Sequence, residues 1–310
     1  EQLTSLARTC PGIGDAIPTV LTMTVVPLLG AGSSMADYKI GFKWWALIIA
    51  VVFVISELVC VACVPERPVA CDEKPGKISD MFKALFKNDQ AMTVVVSIIL
   101  VYTSLNICGN LVLYFFRFDV GNEGAYSIFA AVAFAAQVLV MMVIPLLRKR
   151  FSKSQLFISG FIIQIAGFAV ILIMAFAKLY TPQSWYILCL PGILIYLGYG
   201  MLNVIMTIFL SDSVDYGEVM NGTREESVIF SMQTFTVKLA SGVAVFLAGL
   251  VVDWIHLDTA AAVQTQDTLD ALRMWMTIPS VILLIVGIFV FKRFYKLDDT
   301  RMEEIKSKLN

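Results

Sequence analysis

Charge is scarce in this chain of 310 residues: Asp, Glu, Lys and Arg together make up 15%, against roughly 25% in an ordinary soluble domain. Acids and bases nearly cancel, with a formal net charge of -1, so nothing supports nucleic acid as a partner. Histidine occurs once, at His256. The six cysteines, Cys10, Cys60, Cys63, Cys71, Cys108 and Cys189, are scattered and mostly sit in apolar runs. Cys60 and Cys63 form one CxxC without a second pair, which is too little for a metal or redox centre, so the cysteines read as small core hydrophobes. HExxH, GxSxG and Walker patterns are missing, which leaves an enzyme reading without residues to carry it. No metal and no cofactor are expected. There is also no initiator methionine and no targeting segment, because Glu1 opens a polar run that leads directly into an apolar stretch. The expectation is a chain lacking its N-terminal part.

What the chain does have is apolar length. It is 58% hydrophobic, with a mean hydropathy of +0.80, and this reads as an all-α, multi-pass membrane protein. Eight stretches meet the requirement of about 20 apolar residues per spanning helix: roughly 10–29, 44–64, 91–116, 125–147, 156–177, 185–210, 228–252 and 274–291. They must be helices, since each backbone polar group has to be satisfied within its own segment. Between these spans, 16 lysines and arginines fall on one side and 5 on the other. The positive-inside rule makes the richer side cytoplasmic and puts both chain ends there, with the plasma membrane as the expected location.

The longest connection, 65–90, carries Pro65, Pro68 and Pro75 and ends in the amphipathic run ISDMFKALFKND. It reads as a cytoplasmic linker between bundles. Two spans precede it within 1–64, and six follow it within 91–291. Many transporters consist of two six-helix halves related by a repeat, which would make these the last eight of twelve spans. The tail 292–310 mixes charge with Leu297, Met302, Ile305 and Leu309, as expected for a helix lying on the cytoplasmic face.

Polar residues inside the spans are the candidate site. Arg8 and Asp15 are seven apart, nearly on one face and about 10 Å apart along the axis; they look into a cavity together, or Arg8 snorkels to the membrane edge. Glu57 fits a structural ion pair as well as a functional role. Asn106 and Asn110 form an i, i+4 stripe that suits a polyol or a neighbouring helix equally. Gly192, Gly198 and Gly200 read as helix-packing residues, and Asn203 follows them. The stretch from Ser211 to Ala240 is the most informative. It opens with acids at Asp212, Asp215 and Glu218, turns at Asn221 and Gly222, and continues into an apolar helix with Gln233, Thr234 and Lys238. An ammonium at that depth has to face protein or water, and three hydrogen-bonding side chains there can replace the lost water of a hydroxylated solute. Asn221-Gly222-Thr223 fits the glycosylation sequon but falls on the side assigned to the cytoplasm.

The motifs DSVDYGE (212–218), Arg224 with Glu226, FSMQTFTVKLAS (230–241) and GNLVLYFFRFDVG (109–121) resemble the glycoside-pentoside-hexuronide:cation symporters of the major facilitator superfamily, the family of the melibiose carrier. The resemblance covers the whole chain. It implies a major facilitator fold and symport of a sugar or glycoside with Na+ or H+ by alternating access, in a protein expected to function as a monomer with sugar and membrane lipid as its partners. Gln233, Thr234 and Lys238 are similar to the family's sugar-site positions, and Lys238 also lies near its cation site. EQLTSLAR is similar to the start of the family's fifth span and makes Arg8 a sugar contact. Asp212, Asp215, Glu218 and Arg224 are similar to its cytoplasmic charge network, which works as a gate. Asn203 stands where melibiose-type carriers have a tryptophan, and Asp15 replaces an expected small residue, a change that could touch cation coupling. Asn106 and Asn110 complete the candidate substrate-binding set. A lysolipid carrier of the same fold and a non-transporting solute sensor are the alternatives. The ion itself is not legible, because the spans that carry the family's main cation ligands are not in this sequence.

Overall fold

The computed structural model describes residues 2–32, 35–64, 86–222, 224, 226–259, 261 and 263–309. These residues form long helices joined by short turns, with no strand among them. The helices are α1 (Gln2–Gly30), α2 (Met35–Cys63), α3 (Asp89–Tyr114), α4 (Ala125–Leu147), α5 (Lys153–Phe176), α6 (Cys189–Asn221), α7 (Glu226–Trp254), α8 (Gln266–Phe294) and α9 (Asp299–Leu309). Among the described residues, seven helices, α2 to α8, are long and apolar enough to cross a membrane. α1 has 29 residues and contains Pro11, Pro18 and Pro27. Residues 65–85, the greater part of the expected linker, lie outside the described residues, as does Thr223 of the sequon.

Local chemistry sets the helix ends. Asn88 caps α3 by accepting from the Ala91 N–H, and its amide also donates to the Ser213 carbonyl of α6 at 2.8 Å. Ser152 and Gln155 form a reciprocal capping box at the start of α5, which satisfies two orphan N–H groups. The turn expected at Asn221 and Gly222 is where α6 stops: Gly222 has φ +73°, and its N–H closes on the Glu218 carbonyl, the left-handed ending that glycine adopts without a Cβ penalty. At its far end α3 widens into a π-helical segment, Phe115–Val120.

Helices α3 to α8 pack as one bundle, with the pairs α5–α6, α3–α8, α3–α7 and α4–α6 in extensive contact. The glycines of α6 allow this closeness. A Cβ on Gly198 would stand 2.5 Å from the Gly160 carbonyl oxygen, and one on Gly192 would stand 2.5 Å from the Phe129 ring. Small residues at such crossings let backbones approach where lipid supplies no hydrophobic drive. α1 packs on α4 and on α2, and Trp45 donates to Thr22 across the α1–α2 pair. α2 presents its apolar side chains, Val52, Phe53 and Val61 among them, outward; Glu57, Cys60 and Cys63 are exposed on it as well. α9 packs on α6, with Met302 and Ile305 buried beside Tyr216 and Val219. The amphipathic tail foreseen as a surface helix therefore spends its apolar side on protein.

Candidate functional site

Three groups of polar side chains are built into this bundle: one at each end and one between. At the end that carries α9, Lys153 at the start of α5 donates to Asp212 of α6 at 2.5 Å, with both side chains buried. Asp299 of α9 adds a second carboxylate, 3.6 Å from Lys153 and 3.3 Å from Arg148. Tyr295 lies over them in a stack of rings with Phe209 and Phe291, and burial pushes its phenol upward from the ordinary range. Close by, Arg224 donates to Glu218 at 2.7 Å, to Asp215 at 3.1 Å and to Glu226 at 3.1 Å. The hydrogen bond to Glu218 leads the contacts that raise its pKa further.

The four charges expected to act as one network thus fall into two clusters. Asp215, Glu218 and Arg224 stay together, whereas Asp212 is turned inward to Lys153. Every described partner of Arg224 belongs to α6 or α7, so these bonds run within the bundle.

At the opposite end, the π-helical segment sets Asp119 against Arg273 of α8. The guanidinium donates through Nε at 2.9 Å and through Nη2 at 2.5 Å, in the bidentate geometry that suits arginine and carboxylate. Tyr180, in the turn after α5, donates to the same carboxylate at 2.5 Å. Burial first, and the Asp119 charge second, hold the Tyr180 phenol above its ordinary range. No motif or spacing in the sequence singles out Asp119, Tyr180 or Arg273. The available signal was an acid inside FFRFDV, at the same end of its span as Arg273.

Between these ends lies a cavity of about 560 Å³. α3 contributes Tyr102, Asn106 and Asn110 to its wall, and α4 contributes Gln137. Tyr196 and Tyr199 of α6 face them, and Ser241 of α7 closes one side. Asn106 and Asn110 each tie their amide nitrogen to the helix turn before, at 2.7 Å, so their carbonyl ends are the free ones. That of Asn106 accepts from Ser241 at 3.4 Å. Asn110 also lines a second cavity of about 550 Å³ that runs along α7 to Asp253.

None of the remaining candidates whose side chains are described lines the first cavity. Asn203 is buried behind its wall and donates to the Tyr102 hydroxyl at 2.7 Å. Gln233 is buried and donates to Thr207 of α6 at 3.3 Å. Thr234 and Lys238 share an exposed face of α7. Lys238 lies about 18 Å along that helix from Glu226 and one turn from Ser241, with no ion partner among the described residues. Arg8 and Asp15 belong to α1, but their side chains lie outside what is described; Pro18, one turn beyond Asp15, does line the cavity. Gln137, Tyr102, Tyr196 and Tyr199 were not foreseen. Isolated amides and phenols in apolar runs look like ordinary packing residues until the helices are assembled.

The family model described as MFS/sugar transport protein matches residues 5–299. The chain is 23% identical to the raffinose carrier protein of Pediococcus pentosaceus, over 100% of this chain and 48% of that one. It is 25% identical to the isoprimeverose transporter of Lactiplantibacillus pentosus, over 92% of this chain and 58% of the other. With the lactose permease of Lactobacillus delbrueckii subsp. bulgaricus it shares 23% identity, over 100% of this chain and 49% of the permease. The chain spans about half the length of the curated relatives it matches.

Proposed function

The chain belongs to the MFS/sugar transport protein family, and on that premise we propose that it is part of a secondary transporter that carries a sugar or glycoside together with Na+ or H+. The observation that carries this reading is the central cavity, in which three carboxamide or hydroxyl-bearing helices face a pair of tyrosines. A hydroxylated solute that leaves water needs donors and acceptors to replace its hydration, and phenol rings give its C–H faces a surface. The printed names of the relatives, raffinose, isoprimeverose and lactose carriers, point to the same substrate class.

In this reading Gln233, Thr234 and Lys238 of α7 and Arg8 of α1 bind the sugar. Lys238 and Asp15 are the residues taken to couple the cation, and Lys238 also binds the sugar. The Arg224 cluster and the Lys153–Asp212 pair act at the cytoplasmic end, where they must rearrange as the carrier alternates between its two open states. The protein performs no covalent chemistry and takes no cofactor beyond the coupling ion.

The test is uptake by the full-length protein in proteoliposomes, with labelled raffinose, lactose and isoprimeverose and with imposed sodium or proton gradients. Gradient-driven accumulation of one sugar is expected, and Lys238→Ala should abolish it while leaving the protein inserted. Normal accumulation in that variant sinks the role given to Lys238. One observation favours a lysolipid carrier as the second reading: an almost purely apolar groove between α1 and α4, lined by Ile17, Leu21 and Leu139, shares Phe134 with the polar cavity. Uptake of labelled lysophosphatidylcholine in place of any sugar would put that reading first.

A further inference from the structure

Beside the cavity, buried under its wall, lies an acceptor without a donor. Gln137 is 5% exposed, and its Oε1 has no hydrogen-bond partner among the described residues, although the residue lines the cavity. A buried carbonyl oxygen left unpaired costs free energy, and such groups in native proteins call for an explanation, a bound ligand being one. The helix crossing holds this side chain in place. At Gly200 a Cβ would stand 2.6 Å from Val140 Cγ1 and 2.9 Å from the Gln137 carbonyl, so only glycine lets α6 close on α4 at this level.

The tyrosines that line the cavity are also held. Tyr102 and Tyr199 meet edge to face, 5.5 Å between centroids at 77°. Asn203 donates to both hydroxyls, at 2.7 Å and at 3.4 Å. Tyr196 is three residues before Tyr199, hence on the same face of α6, and meets Phe134 at 5.3 Å. Asn203, which replaces the tryptophan expected from the family resemblance, therefore clamps an aromatic surface supplied by its neighbours.

We infer that Gln137 and Tyr199 are specificity-determining contacts, with the sugar ring lying on Tyr199 and the terminal amide of Gln137 turning so that its Oε1 accepts from one of the sugar hydroxyls. This rests on the sugar-transport reading above and deepens it. An acceptor at that point requires an O–H, so the position takes a neutral hydroxyl and rejects a carboxylate, which at neutral pH can only accept. The substrate is then neutral where it meets α4.

The test uses the full-length protein in detergent and in proteoliposomes, with raffinose, lactose, isoprimeverose and glucuronate as probes for binding and counterflow, and thermal unfolding without sugar. Gln137→Met should weaken binding of the transported neutral sugar about tenfold or more and leave the unliganded melting temperature unchanged or higher, because it removes an unpaired acceptor at similar volume. Tyr199→Leu should weaken binding by a comparable factor, and Tyr199→Phe, which keeps the ring, should weaken it much less. A lower melting temperature for Gln137→Met with affinity unchanged would make Gln137 a packing residue and overturn the inference, as would equal loss from Tyr199→Phe and Tyr199→Leu. Tight binding of glucuronate through Gln137 would overturn it too. If wild type binds a neutral sugar and the variants do not differ from it, the inference falls and the sugar-transport reading stands. If a folded wild type binds none of these sugars, both fall.

Discussion

At the scale of single residues, the Lys153–Asp212 pair decides most. Both partners are buried, and Asp299 shares the ammonium. Removing one member of such a pair strands the other charge, at a cost of about 3–5 kcal/mol, whereas replacing both with apolar residues is often neutral. Asp212→Leu alone should therefore lower the stability of the detergent-solubilised protein by several kcal/mol, and adding Lys153→Met should restore most of the loss. Thermal unfolding of the two single variants and the double variant checks this. If both single variants melt with wild type, the ion pair is not formed in solution. The sequence marks Asp212 as unusual, since an acid at the end of an apolar run needs a reason. It does not mark Lys153 as its partner, because 59 residues separate them and Lys153 looks like one more basic residue of a loop. The same holds for Asp119 and Arg273, which are 154 apart. Polar side chains in a membrane chain are legible one by one, but their pairings depend on which helices become neighbours.

At the scale of elements, the spans were readable because hydropathy and length alone constrain them, and α2 to α8 fall where the apolar runs predict. The π-helical end of α3 was not readable, since FFRFDV carries no turn or proline signal. The glycines of α6 were read as packing residues, and they divide sharply from those of α7. A Cβ on Gly198 meets the Gly160 carbonyl at 2.5 Å and the Gln164 N–H group at 2.7 Å, while one on Gly242 meets nothing within 4 Å. Gly198→Ala should then destabilise the bundle by about 1–3 kcal/mol, the usual cost of overpacking. Gly242→Ala should be neutral or stabilise by up to about 1 kcal/mol through the helix propensity gained. Melting curves in the same detergent separate the two, and equal effects would mean that α5 and α6 are not pressed together at this crossing.

At the scale of the whole molecule, the two ends of the bundle differ in chemistry. One end holds Arg148, Arg224 and the basic residues around α9, with Arg148 and Arg224 paired with exposed or half-buried acids, and Lys153, whose main partner Asp212 is buried. The other end has fewer bases, and one of its arginines, Arg273, is locked to a buried carboxylate. Lysine and arginine near span ends hold a segment on the cytoplasmic side during insertion, and acids contribute little. The α9 end should therefore face the cytoplasm. In a variant whose native cysteines are replaced by serine, a cysteine placed at exposed Glu304 should react with a membrane-impermeant maleimide only in inverted vesicles. A cysteine at exposed Lys178, beside Tyr180, should react only in right-side-out ones. The reverse pattern would invert the assignment and move the Arg224 cluster to the outer mouth, where it could no longer serve as a cytoplasmic gate. Labelling of both positions in one preparation of sealed vesicles would mean that the basic end does not set the orientation at all.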